Sequence, residues 1–151
     1  MISALVFATA TAAATATLPP VQHLTTIDVM APKAALHLQV AQTEAQRERG
    51  LMSVTKLPAH SGMIFVFETE SQVEFWMKDT LIPLDMVWVS ADGTVNTVAT
   101  DVPVVSTGTP DDQIPRRHGN GKYVIELPAF EAKQDGIVPG AHLSGLDTLH
   151  D

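Results

Sequence analysis

The feature that most constrains the fold of this chain is a succession of short strand-type runs separated by turn residues. Leu36-His37-Leu38-Gln39-Val40 alternates apolar and polar side chains, the period-2 pattern of a strand with one buried face. Gly62-Met63-Ile64-Phe65-Val66-Phe67 is an unbroken apolar run, as in a strand covered on both faces. Val73 to Lys78 alternates again, with Val73, Phe75 and Met77 on one face and Glu74, Trp76 and Lys78 on the other. Between these two runs, Glu68 to Gln72 reads as a polar connection. Ile82-Pro83 interrupts the pattern, because proline cannot donate to a ladder. Leu84 to Val89 then forms another strand, and Ala91-Asp92-Gly93 is a hairpin signal into Thr94 to Ala99. Lys122 to Leu127 resumes the strand pattern, and a last strand is predicted near His142-Leu143. Many short strands at close spacing predict a mainly β chain: a single compact β-barrel-like or sandwich domain with one or two short helices, with α+β as the alternative. Closure or near-closure would remove exposed edges.

The helices are marked by their ends. Thr43 with Gln46 three residues later is a capping box, and Gly50 suits the stop. Ala129 to Asp135 reads as a second short helix ended by Gly136. From Asp101 to Gly121, three prolines and three glycines predict a long loop, with an edge strand at Val102 to Ser106. Residues 35–149 form the predicted β-rich domain, and residues 22–34 read as a linker or irregular lead-in.

Residues 1–21 differ from the rest. They carry no charge, begin with Ile2, Leu5, Val6 and Phe7, and fade into Ala and Thr before Pro19-Pro20. Triplets such as Ala14-Thr15-Ala16 suit signal peptidase, although the usual leading Lys or Arg is missing. The segment reads as an export signal, placing the domain in the periplasm or outside the cell. The alternative is a disordered tail on a cytoplasmic protein. A stable membrane span is not expected, since Ala and Thr contribute little to insertion.

Composition removes several classes of function. The 151 residues contain no Cys, which excludes disulfides, thiolate nucleophiles and iron–sulfur clusters. Lys and Arg total 9 against 17 Asp and Glu, a formal charge of -8. A nucleic-acid partner is therefore not expected, because such binding rests on basic groups displacing phosphate counterions. No GxSxG, GxGxxG or phosphate-loop pattern is present, so neither a hydrolase triad nor a cofactor is indicated. The six histidines form no HxH or HExxH pair, and no metal site is predicted.

Three stretches carry a resemblance: Gly50-Leu51-Met52, then Gly62 to Phe67, then Phe75-Trp76-Met77-Lys78-Asp79-Thr80 with Ile82-Pro83-Leu84-Asp85. Tyr123-Val124-Ile125-Glu126-Leu127-Pro128-Ala129 adds a closing strand. Together they resemble the bacterial and archaeal domain-of-unknown-function family 192 over about residues 35–146. The resemblance implies a compact β-rich domain, often behind an export signal, and no established activity. The chain departs from the family pattern at Asp79, where Asn is usual, at Phe130, where Gly is usual, and at Gly140-Ala141, where Gly-Asp is usual. The first departure weighs against any role that needs a side-chain amide at position 79.

The most unusual local chemistry is Trp76, Lys78, Asp79, Thr80 and Asp85, with Arg47 nearby. Charged groups among Phe, Trp, Met and Leu must reach water or be paired. If the strands ending at Lys78 and starting at Leu84 are neighbours, Lys78 and Asp85 face each other across the turn. One reading is a salt bridge that fixes this corner. The other is a binding site floored by Trp76, with Lys78 as the contact for a small polar or anionic ligand or a cell-envelope partner. The expectation is a non-enzymatic binding module. An enzyme using Asp79 or Asp85 as general base, with Lys78 stabilising an anion, is the alternative. Glu126, among apolar neighbours, reads as an edge or pairing residue.

Overall fold

The computed structural model describes residues 16–149. The chain is mainly β, built on one sheet with the order β1-β2-β3-β6-β4-β5. The strands are β1 (Thr26–Met30), β2 (Ala35–Ala41), β3 (Ser61–Trp76), β4 (Leu84–Val89), β5 (Val95–Val102) and β6 (Arg116–Pro128). Neighbouring strands are antiparallel except β2 and β3, which run parallel. That parallel step requires a crossover, and α1 (Glu44–Arg49) lies within it. The helix starts as its sequence dictates. Thr43 accepts from the Gln46 amide, and the Gln46 side chain accepts from the Thr43 amide.

Alternation sorts the side chains onto two cores, one on each face. Ile64 and Val66 of β3, Val87 and Val89 of β4, and Tyr123, Ile125 and Leu127 of β6 form the first. Ala132 of α2 (Glu131–Gln134) and the C-terminal Leu143, Leu146 and Leu149 cover it. Met63 and Phe65, Met86 and Trp88, and Val124 form the second core, covered by Leu51, by Val73 from the far half of β3 itself and by Met77 just after that strand. All six residues of β4 are buried, as expected of a strand packed on both faces.

The predicted closure is not reached: β1 and β5 remain as edges, so the sheet is not a barrel. It does curl. The rings of Phe65 and Phe75 lie 4.8 Å apart edge to face, whereas ten residues of straight strand span roughly 33 Å. The bend sits where the β3–β6 register shifts, between Val66 and Ser71. Residues Glu68 to Gln72, read in the sequence as a connection, therefore belong to one continuous strand that turns at a bulge. Its exposed polar residues mark the corner. The partner strand bends with it, and Gly119 permits the contact: a Cβ there would meet the Trp88 ring at 2.7 Å. The Trp88 indole N–H donates to the Val73 carbonyl at 3.0 Å and fastens the curled half to β4.

Other expectations change accordingly. The predicted loop 101–121 is shorter, because β5 runs to Val102 and β6 begins at Arg116. The stretch read as a linker contains β1, which pairs with β2 from Thr26 to Met30. Near the C-terminus there are isolated bridges, Thr94 with His142 and Met30 with Ser144, in place of a strand. The predicted export segment lies largely outside the described residues. Of its end, the Pro20 carbonyl accepts from Arg49, and Gln22 just beyond donates to the Gln46 and Gly50 carbonyls. Among the described residues no helix is long and apolar enough to cross a membrane.

Candidate functional site

The curl of β3 creates a corner. Trp76 ends the strand, and its ring carries two cations: the Arg116 guanidinium 4.3 Å and the Lys78 ammonium 5.0 Å from the ring centre. Lys78 is also paired with Asp111 across 2.9 Å. Thr80 is buried, and its hydroxyl donates to the Lys78 carbonyl at 3.1 Å, which shapes the turn after the strand. Asp79 adopts a left-handed backbone with φ 50°, and its carbonyl accepts from the Ser53 amide. Arg47 lies over the Phe67 ring and donates to the Gln42 and Val66 carbonyls.

Four of the six candidates line one cleft. Arg47, Trp76, Lys78 and Thr80 share it with Arg49, Leu51, Phe65, Phe75 and Glu126. Its inner space is about 40 Å3, and an adjoining hollow of about 510 Å3 shares Glu48, Arg49, Met52, Trp76 and Lys78 with it. Asp79 instead lines a separate hollow with Lys78 and residues of the 105–111 loop.

Asp85 lies elsewhere. The strand ending at Trp76 and β4 are not neighbours, because β6 runs between β3 and β4. Asp85 shares the parity of Val87 and Val89, and so points into the opposite face of the sheet. There it is fully buried and accepts three backbone N–H bonds, from Asp101 and Phe130 at one oxygen and from Ala132 at the other, each 2.9 Å. The expected Lys78–Asp85 pair does not form. The acid anchors the start of α2 and the end of β5.

Glu126 departs from expectation in the other direction. It is neither on an edge nor paired: β6 is an interior strand, with Met63 and Met86 flanking Glu126 in the two neighbouring strands. The residue is 5% exposed, accepts no hydrogen bond among the described residues, and lies on the inner wall of the cleft. Burial pushes its carboxyl up to about 8, so at neutral pH it is mostly a neutral acid. The signal for it in the sequence is the break in parity, one acid in a row of apolar residues on a strand buried on both faces.

A second cluster of titratable groups sits at the far end of the first core. The His60 Nδ1 atom is 3.0 Å from Asp135 and 3.1 Å from Glu131, and the His60 amide also donates to Glu131. No ligand spacing in the sequence indicates this trio, yet it is the set among the described residues that has metal-ligand chemistry. As arranged it is an ion-paired clasp. The hydrogen bond to Asp135 raises the His60 pKa, and burial raises that of Glu131.

Comparison with known proteins agrees with the family resemblance. The model of the family described as an uncharacterised conserved family, domain of unknown function 192, matches residues 26–145. The chain belongs to that family. Its fold is similar to that of a suggested transcription regulator from Sinorhizobium meliloti 1021, at 31% identity and a TM-score of 0.70 over 80% of this chain and 94% of that one. It is also similar to a protein of unknown function from Novosphingobium aromaticivorans DSM 12444, at 28% identity and a TM-score of 0.68 over 91% and 98% of the two chains. No curated protein matches the chain. Two of the family departures now have a backbone context. Asp79 and Phe130, where Asn and Gly are usual, both have positive φ, 50° and 69°, the region those usual residues enter most easily.

Proposed function

We propose that this family member is an exported, non-enzymatic binding module that takes a small polar or anionic molecule at the Trp76–Lys78 corner. The observation that carries this reading is the cleft itself: a largely buried acid, without a partner among the described residues, faces a space rimmed by an aromatic ring and cations. Ligand sites of this type combine apolar walls with a few convergent polar groups. The inner cleft and the outer hollow together give room for a polar group and for the body that carries it. The apolar start of the N-terminal segment and its small-x-small triplets support export.

The catalytic alternative loses support. Asp85 is consumed by three amides on the opposite face, and Asp79 opens onto a different hollow from Glu126. A role in regulating transcription, which the description of the Sinorhizobium relative suggests for that protein, gains no support here from the charge of -8, which disfavours nucleic-acid contacts.

Titrating a panel of small sugars, amino acids and organic acids into labelled protein tests the proposal. Binders should shift the Trp76 indole resonance and those of Leu51 and Glu126. The variant Lys78→Met should lose about tenfold in affinity while staying folded, because a part-exposed ion pair stabilises by no more than about 1 kcal/mol. Shifts confined to another part of the surface, or undiminished binding by Lys78→Met, would sink it.

A further inference from the structure

The chemistry of the cleft narrows the class of ligand, given the binding role proposed above. Three of the chain's nine Lys and Arg residues, Arg47, Arg49 and Lys78, gather around it, in a protein whose formal charge is -8. The other charged groups that face it are Glu48, from the same helix as the two arginines, and Glu126 at the inner wall. Each cation is only partly committed. Arg49 uses one guanidinium nitrogen on the Pro20 carbonyl, and its remaining donors have no partner among the described residues. Lys78 is held by Asp111 from one side and Trp76 from another.

Glu126 is the odd member of this set. Glu126 shares the lining of this cleft with three cations, and it pairs with none of them. Its neighbours in the flanking strands are Met63 and Met86, whose side chains offer no hydrogen on oxygen or nitrogen. An acid in such surroundings keeps its proton, and then it is a hydrogen-bond donor aimed into an electropositive space.

We infer that the cleft receives an oxyanion, a carboxylate or phosphate group of a small molecule, with the Glu126 carboxyl as a donor from the inner wall and Arg49, Arg47 and Lys78 as its counter-charge. The inner space of about 40 Å3 suits such a group, and the molecule's body extends into the outer hollow along Met52 and Trp76. The arrangement makes binding depend on one proton. When Glu126 ionises, the donor is lost and a negative charge faces the anion, so affinity falls as pH rises through about 8.

Nuclear magnetic resonance titrations of the full chain with acetate and with methyl phosphate test the inference between about pH 6 and about pH 10. Acetate keeps one charge throughout, and the two probes separate a carboxylate carrier from a phosphate carrier. At least one should shift the Glu126 and Trp76 resonances, with affinity falling about tenfold per pH unit above the Glu126 titration. Glu126→Gln keeps a neutral donor of similar shape. It should bind the same probe with an affinity that no longer falls above about pH 8, and its thermal unfolding reports that it is folded. A flat profile in the wild type, the same slope in Glu126→Gln, or silence with both probes overturns the inference. If both oxyanions are silent while an uncharged sugar shifts Trp76, the binding module stands and only the ligand class fails. If no member of either panel reaches the corner, both fail.

Discussion

Asp85 and Glu126 are both acids buried within a sheet, and they have opposite environments. Strand parity sends Asp85 to the first face, where three amide hydrogens meet it, and Glu126 to the second, where none do. A carboxylate with three backbone donors is structurally committed. Removing it leaves the Asp101, Phe130 and Ala132 amides without their acceptor. We therefore expect Asp85→Ala to destabilise the fold by roughly 3–5 kcal/mol, read as a fall in the urea midpoint. A loss below about 1 kcal/mol would mean that water replaces the acid and that the anchor is dispensable. The sequence makes Asp85 and Glu126 look alike. What differs is the face each occupies, and the hydrogen-bond partners that face supplies.

At the scale of elements, the decisive object is the long β3–β6 ribbon. Its bend brings Phe75 onto Phe65 and places Trp76 beside the end of α1, so the cleft exists only because the strand folds over its own sheet. The near half of the ribbon tolerates no side chain at Gly62, where a Cβ would lie 1.9 Å from the Glu126 carbonyl oxygen. Relieving that overlap requires β3 and β6 to separate where they are paired. Gly62→Ala should cost at least about 3 kcal/mol, within the range of strong overpacking. Chemical denaturation against the wild type measures this, and an unchanged midpoint would show that the two strands can part freely. The bend itself was not legible in the sequence. Glu68 to Gln72 looks like a connection because its side chains are polar, and only pairing across a bulge shows that the backbone stays in the sheet.

Across the whole molecule, the clasp of His60 with Glu131 and Asp135 joins the segment before β3 to α2, which lie far apart in sequence. The partners raise the His60 pKa above its ordinary value of 6.5, so the folded state holds this proton more tightly than the unfolded chain. The stabilisation is then complete below that ordinary value and fades as pH rises through the folded one. His60→Ala should therefore lower Tm most in mildly acidic buffer, and the gap from the wild type should narrow toward alkaline pH. Thermal melts across pH read this directly. A gap that is constant or widens with pH would show that His60 acts through packing alone.

The sequence by itself determined the β character, most strand positions, the capped start of α1 and the family, because these follow from local periodicity, local hydrogen bonds and contiguous motifs. It also marked Trp76 and Lys78 as the unusual chemistry. Only the tertiary structure decided which acid accompanies them. It inserted β6 between β3 and β4, turned Asp85 away and brought Glu126 in. Strand order is set by contacts distant in the chain, and no local pattern of side chains encodes which strand lies between two others.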